Sequence, residues 1–235
     1  MVLPIHARER PVQSPTRRGV LGLIGLAAGI GMVRTNVLAQ GSLPRDLAFK
    51  VARNGSQVGL YKVQFQPTDS GFSVSASVDI AIKIAFMTVY RYAQSSDCVW
   101  QRGAMVRSEI RTDDNGKVSD VSIEAGNKSL MVEGPSGLVE APLDTLTDGS
   151  LWNIAITRRQ QVIDGERGDL MRIGGTGPFE ETLDLDGKEI PTQRFTFASD
   201  REHSLAGTLW YDTTNTLARI DLETRGERFE YQPIA

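Results

Sequence analysis

The chain has 235 residues, 40% of them hydrophobic and 23% charged, with a formal net charge of −3 and one cysteine. That length can bury a real core, and the acidic balance does not suit a nucleic-acid partner, which wants a basic face. One cysteine closes no internal disulfide, and so few Cys and His side chains exclude a Cys- or His-rich zinc, haem or iron–sulfur site.

The first predicted element is a leader. The apolar, glycine-rich run from Gly19 to Val33 is shorter than the about 20 residues that span a bilayer. Arginines precede it, among them the adjacent Arg17 and Arg18, and Val37-Leu38-Ala39 comes after it as a small-residue cleavage site. This three-part layout predicts an export signal over residues 1–39, cut before Gln40. The arginine pair and Leu21 fit the bacterial twin-arginine pattern, although Val20 and Gly22 depart from it. The expected partners in maturation are the twin-arginine export machinery and signal peptidase, and the expected location is the periplasm. The segment holds five arginines and one glutamate, so its removal leaves a chain of −7. That charge argues against electrostatic attachment to anionic lipid. Residues 40–235 read as a single β domain that does not span a membrane.

Alternation dominates the mature chain. Leu47, Phe49 and Val51 share a face, as do Tyr61, Val63 and Phe65, and the intervening Asn54-Gly55 predicts a hairpin turn. From Phe72 to Tyr92 the even positions are almost all apolar, running through Ile80, Ile82, Ile84 and Phe86. Fully extended, this stretch would reach about 70 Å, so it is either one strongly coiled strand or two strands joined by a bend. From Ala81 onward the odd positions also turn apolar, which predicts cover on both faces. "DDNGK" (113–117) and "DLDGKE" (184–189) are further hairpin turns. Phe195 with Phe197, Leu205 to Tyr211, Ile220 to Thr224, and Phe229 with Tyr231 complete the strands. Strands at this spacing predict an all-β sandwich or barrel.

One segment departs from period two. Over 147–159, Leu151, Ile154 and Ile156 fall near helical spacing, with Thr147, Asp148 or Ser150 as caps and Arg158-Arg159 at the carbonyl end. A short helix is expected there, lying across a strongly curved antiparallel sheet, a half-barrel or open barrel, and covering its apolar face.

Catalytic motifs are weak. Cys98 and His203 are the only thiol and imidazole of the mature chain, and a lone Cys is usually a small buried hydrophobe. Glu180-Glu181 and Asp184/Asp186 flank a turn and read as a solvated face. "DDNG" lacks the ligand spacing of a calcium loop, "GGTG" (174–177) lacks the Lys-Ser/Thr of a phosphate loop, and "RGD" (167–169) reads as chance.

"NGSQVG" (54–59), "VYRYAQSSDCVWQRGAMV" (89–106), "SLWN" (150–153) and "GTLWYDTTNTLARIDLETRG" (207–226) together resemble the uncharacterised exported β-protein family known as domain of unknown function 6134, itself similar to a second such family, 3108. Relatives often carry Glu where Cys98 stands and His where Leu151 stands. The resemblance implies a periplasmic curved antiparallel sheet with an architecture like that of lipoprotein-carrier half-barrels.

The functional expectation is non-enzymatic, without a cofactor or metal. A concave apolar face made by Ile80, Ile82, Ile84, Phe86, Trp100, Trp152, Phe195, Phe197 and Trp210 would bind a lipid or other hydrophobe, because curved sheets and barrel mouths host apolar ligands. The alternative is an envelope structural or interaction module with a dry core and no small-molecule ligand, acting through its outer face or a sheet edge.

Overall fold

The computed structural model describes residues 43–201 and 205–234. The expected export signal, with Arg17, Arg18, Ala39 and the cut before Gln40, lies outside the described residues, as does His203.

Fifteen strands form one sheet in the spatial order β8-β7-β6-β5-β4-β3-β2-β1-β15-β14-β13-β12-β11-β10-β9. In chain order the first eight are β1 (Leu47–Arg53), β2 (Ser56–Thr68), β3 (Gly71–Ile84), β4 (Met87–Gln101), β5 (Ala104–Asp114), β6 (Lys117–Ala125), β7 (Ser129–Gly134) and β8 (Gly137–Pro142). The others are β9 (Leu146–Thr147), β10 (Gln161–Ile163), β11 (Leu170–Leu185), β12 (Lys188–Ser199), β13 (Ala206–Asp212), β14 (Leu217–Thr224) and β15 (Glu227–Pro233). The order is a meander whose first strand pairs antiparallel with its last, Val51 opposite Tyr231. All pairs are antiparallel except β9 with β10.

The two edge strands, β8 and β9, are consecutive in the chain, and the rolled sheet brings its ends together. The Ser136 N–H donates to the Arg167 carbonyl oxygen at 2.9 Å. Gly134 lies so close that a Cβ there would stand 2.9 Å from the same oxygen, so the seam requires glycine at that position. The result is a barrel-like roll closed by a loop contact instead of a ladder. Its inward side chains alternate along each strand, with Phe49, Val63, Val74, Ile123, Leu130, Leu209 and Ile220 almost wholly excluded from solvent.

The Phe72–Tyr92 stretch is two strands. Ala85 and Phe86 turn β3 into β4, with Ala85 at φ 55°. The expected cover on both faces beyond Ala81 is absent. Ile84 is 66% exposed, Met87 72%, and Phe86 fully exposed. The reason is strand length. β2 accompanies β3 only as far as Gly59 opposite Ile80, and β5 accompanies β4 only as far as Asp114 opposite Tyr92. The tip of the β3–β4 hairpin projects past both neighbours.

The segment expected to be a helix over 147–159 is a single 3₁₀ turn, Ile154–Arg158. Its cap is Asn153, whose Oδ1 accepts the Ala155 N–H at 3.0 Å, and not Thr147, Asp148 or Ser150. Thr147 belongs to β9, and its hydroxyl is 2.8 Å from that of Ser150. A two-residue strand and a tight turn use up the residues a longer helix would need. The segment still covers the sheet, burying Leu151 and Ile156.

Candidate functional site: an open cavity with an acidic mouth

The roll is filled at one end and open at the other. Along β3 and β4, the Phe72–Trp100 pair marks the filled end and the Ile80–Tyr92 pair the open end. At the filled end Phe72 stacks on Trp100 with ring centroids 6.0 Å apart, and Trp152 packs edge-on against Trp100 at 5.4 Å and Phe65 at 5.1 Å. This aromatic plug is dry packing.

At the open end lies a cavity of about 440 Å³, within the about 300–1,000 Å³ typical of small-molecule sites. Its apolar lining comes from Val78 and Ile80 on β3, Leu151, Met171 on β11, Leu222 on β14 and Phe229 on β15. Four tyrosines add aromatic surface: Tyr61, Tyr90, Tyr92 and Tyr231. The Tyr61 hydroxyl is buried without a hydrogen-bond partner, although its ring packs on Phe49 and Tyr231. Burial raises its pKa and that of Tyr231 far above the ordinary phenol value.

The mouth is charged. Asp148 comes directly after β9, and Asp164, Glu166 and Arg167 lie in the loop after β10. The Asp164 carboxylate folds that loop by accepting the N–H groups of Glu166 and Arg167 at 2.9 and 3.0 Å. The Gly165 N–H donates to Asp148 Oδ1 at 3.1 Å. Burial, reinforced by the like charge of Asp164, pushes the Asp148 carboxyl up to about 7, and burial also raises Glu166. Asp114 behaves oppositely. Burial works to raise it, but Arg225 at 2.8 Å and the Tyr90 hydroxyl at 2.8 Å outweigh burial and hold it below its ordinary value. Burial and the bond to Asp114 push Tyr90 up to about 12.

The structure disperses the nine residues expected on one apolar face. Ile80 lines the cavity, and Ile82 is half-buried against the core. Ile84 and Phe86 do not line it, because they sit on the projecting tip. Trp100 and Trp152 form the plug. Phe195 and Phe197 line a smaller adjoining pocket of about 30 Å³ beside the 3₁₀ turn, which shares Asp148, Leu151, Met171 and Leu205 with the cavity. Trp210 points outward: Leu209 and Tyr211 take the inward face, and Trp210 is covered instead by the Arg219 guanidinium, 5.2 Å from its ring, and by Glu181, which accepts its indole N–H at 3.3 Å.

The other motifs are structural. Cys98 is buried 2.9 Å from the Ser108 hydroxyl, and burial pushes its thiol up, the reverse of an activated nucleophile. Glu180, Glu181 and Asp184 are solvent-exposed. In "RGD", Arg167 lines the mouth and pairs with Asp169 at 3.6 Å. Among the described residues no group of three or more His, Cys, Asp or Glu side chains is placed to hold a metal ion, and no helix is long and apolar enough to cross a membrane.

The acidic mouth carries no local signal in the sequence. Tyr90 and Tyr92 end the alternating stripe, but Asp148 and "DGERGD" (164–169) read as ordinary loop polarity until the fold brings them together.

No curated protein matches the chain. A solved structure from Brucella abortus, a β-barrel-like protein of domain of unknown function DUF1849, superposes with a TM-score of 0.56 at 8% identity. The match covers 82% of this chain and 96% of that one. At that identity the likeness concerns the fold alone. The family described as Domain of unknown function (DUF6134) matches residues 49–234, and with nearly the whole rolled sheet inside that span, this chain belongs to the DUF6134 family.

Proposed function

We propose that this protein is a non-catalytic binding protein of the bacterial periplasm, which takes a lipid or other largely apolar molecule into the open end of its rolled sheet. The observation that carries this reading is the cavity of about 440 Å³, plugged at one end by aromatic packing and lined by apolar side chains and tyrosines. Such a lining gains little from water and favours an apolar body. The export-signal pattern read in the sequence of residues 1–39 supports the location.

The test is native mass spectrometry of protein purified gently from its own periplasm, then solvent extraction, with Ile80→Arg alongside. A discrete extra mass that extracts as a hydrophobe and is missing from a folded Ile80→Arg variant is the expected result. A bare mass in every preparation would overturn the reading.

A second reading, an interaction module of the envelope, is favoured by the exposed Ile84, Phe86 and Met87. Contiguous exposed apolar side chains mark contact sites. Crosslinking in cells from position 86 to a specific protein, with no lipid adduct, is its expected outcome.

A further inference from the structure

We infer that the molecule held in this cavity carries a cationic, ammonium-type headgroup, received by the Asp148 carboxylate and the tyrosine rings at the mouth. The inference rests on the binding reading above and names the ligand's polar end.

The charges around the mouth do not balance. Three arginines serve it, and each is committed. Arg225 is 2.8 Å from Asp114 and 3.9 Å from Glu166. Arg201 is 2.6 Å from Asp169 and 3.7 Å from Asp164. Arg167 is 3.6 Å from Asp169. Those guanidinium groups are therefore shared among four carboxylates. Asp148 is a fifth, and it has no ion pair among the described residues. Its neighbours are backbone N–H groups and the like-charged Asp164 and Glu166. A half-buried carboxylate without a counter-charge is costly to ionise, and an incoming cation removes that cost.

A second, independent observation comes from the same cavity. Tyr61 is only 6% exposed, its hydroxyl has no partner, and the residue itself lines the cavity. The rings of Tyr61, Tyr90, Tyr92 and Tyr231 surround the same space. Aromatic faces attract ammonium groups and are the recurrent lining of alkylammonium sites. The apolar side chains below would take the ligand's hydrocarbon part. An anionic headgroup would meet Asp148, Asp164 and Glu166, and the arginines that would welcome it are already paired.

The test compares three probes that share one hydrocarbon chain: decylammonium, decanol and decanoate. Each is titrated calorimetrically into the mature protein and into Asp148→Asn. Decylammonium is expected to bind at least about tenfold more tightly than the other two, a difference of about 1.4 kcal/mol. Asp148→Asn is expected to erase that preference, bringing decylammonium to the affinity of decanol for the same variant. Glu166→Gln provides a second variant should Asp148→Asn fail to fold, with a smaller loss in the same direction. Equal or tighter binding of decanol or decanoate would overturn the headgroup assignment and leave the apolar cavity standing. A decylammonium preference unchanged in the folded Asp148→Asn variant would be general attraction to an acidic surface and would also overturn it. Binding of none of the three would overturn this inference and the binding reading together.

Discussion

The Tyr211 hydroxyl donates to the Leu151 carbonyl oxygen at 2.7 Å, and both residues are buried. That bond ties the segment lying inside the roll to wall strand β13. The Tyr211 ring also packs edge-on against Phe195 at 6.0 Å. In Tyr211→Phe the ring survives and the carbonyl loses its partner. A buried acceptor left unsatisfied costs about 1–3 kcal/mol. Urea unfolding should therefore show a lower midpoint with an unchanged slope. An unchanged midpoint would mean that the bond does not hold the segment in place.

Asp148 gives the fold a pH dependence of definite sign. Burial and the facing carboxylates Asp164 and Glu166 raise its carboxyl from 3.8 to about 7, against the opposing N–H groups of Gly165 and Gly149. Between those values the folded chain holds a proton that the unfolded chain has released. Its contribution to stability therefore falls as pH rises through that window. Asp114, with its lowered value, works the other way, so the informative quantity is the difference between wild type and Asp148→Asn. The variant's melting temperature, relative to wild type, should rise between about pH 4 and about pH 8. A constant difference would show that Asp148 ionises normally.

The strands were legible where one side chain in two is apolar and a turn has its own chemistry. Asn54-Gly55, Asn115-Gly116 and Asp186-Gly187 all adopt the positive φ that such pairs tolerate. The reach of each neighbouring strand was not legible. Period two says that Ile84 and Phe86 share a face with Ile80, but it does not say where β2 and β5 stop, and that decides which of them is covered. The same limit applied to Trp210. Leu209, Trp210 and Tyr211 are consecutive and all buried, so nothing local marks Trp210 as outward. Its cover comes from Arg219 and Glu181, on two other strands. The mouth was harder still, because Asp148 and Glu166 meet Tyr92 only through the rolling of the sheet.

Two tryptophans of similar burial should respond differently to substitution. Trp100 is 4% exposed and Trp210 7%. Trp100 is enclosed by Phe72 and Trp152 in the plug, so Trp100→Ala opens a cavity that rigid aromatic neighbours cannot fill. The expected cost is about 3–5 kcal/mol. Trp210 lies under the polar side chains of Arg219 and Glu181. Trp210→Phe keeps a ring for Arg219 and surrenders one hydrogen bond, with an expected cost of about 0.5–1.5 kcal/mol. Chemical denaturation of both variants checks the order, and a larger loss at Trp210 would overturn the inward and outward assignment.

The hairpin tip separates folding from contact. Phe86 is fully exposed and Met87 72% exposed, so neither contributes burial to the fold. Phe86→Ser should change unfolding free energy by no more than about 0.5 kcal/mol, as surface substitutions usually do. It should nevertheless weaken retention on an alkyl-derivatised matrix, because it removes the most exposed large ring of an apolar patch that includes Ile84. Ile80→Ser, by contrast, should cost stability, because Ile80 is 5% exposed. If Phe86→Ser instead lowered the melting temperature, the tip would be packing against the body of the roll in solution, and the apolar patch would not be free for a partner.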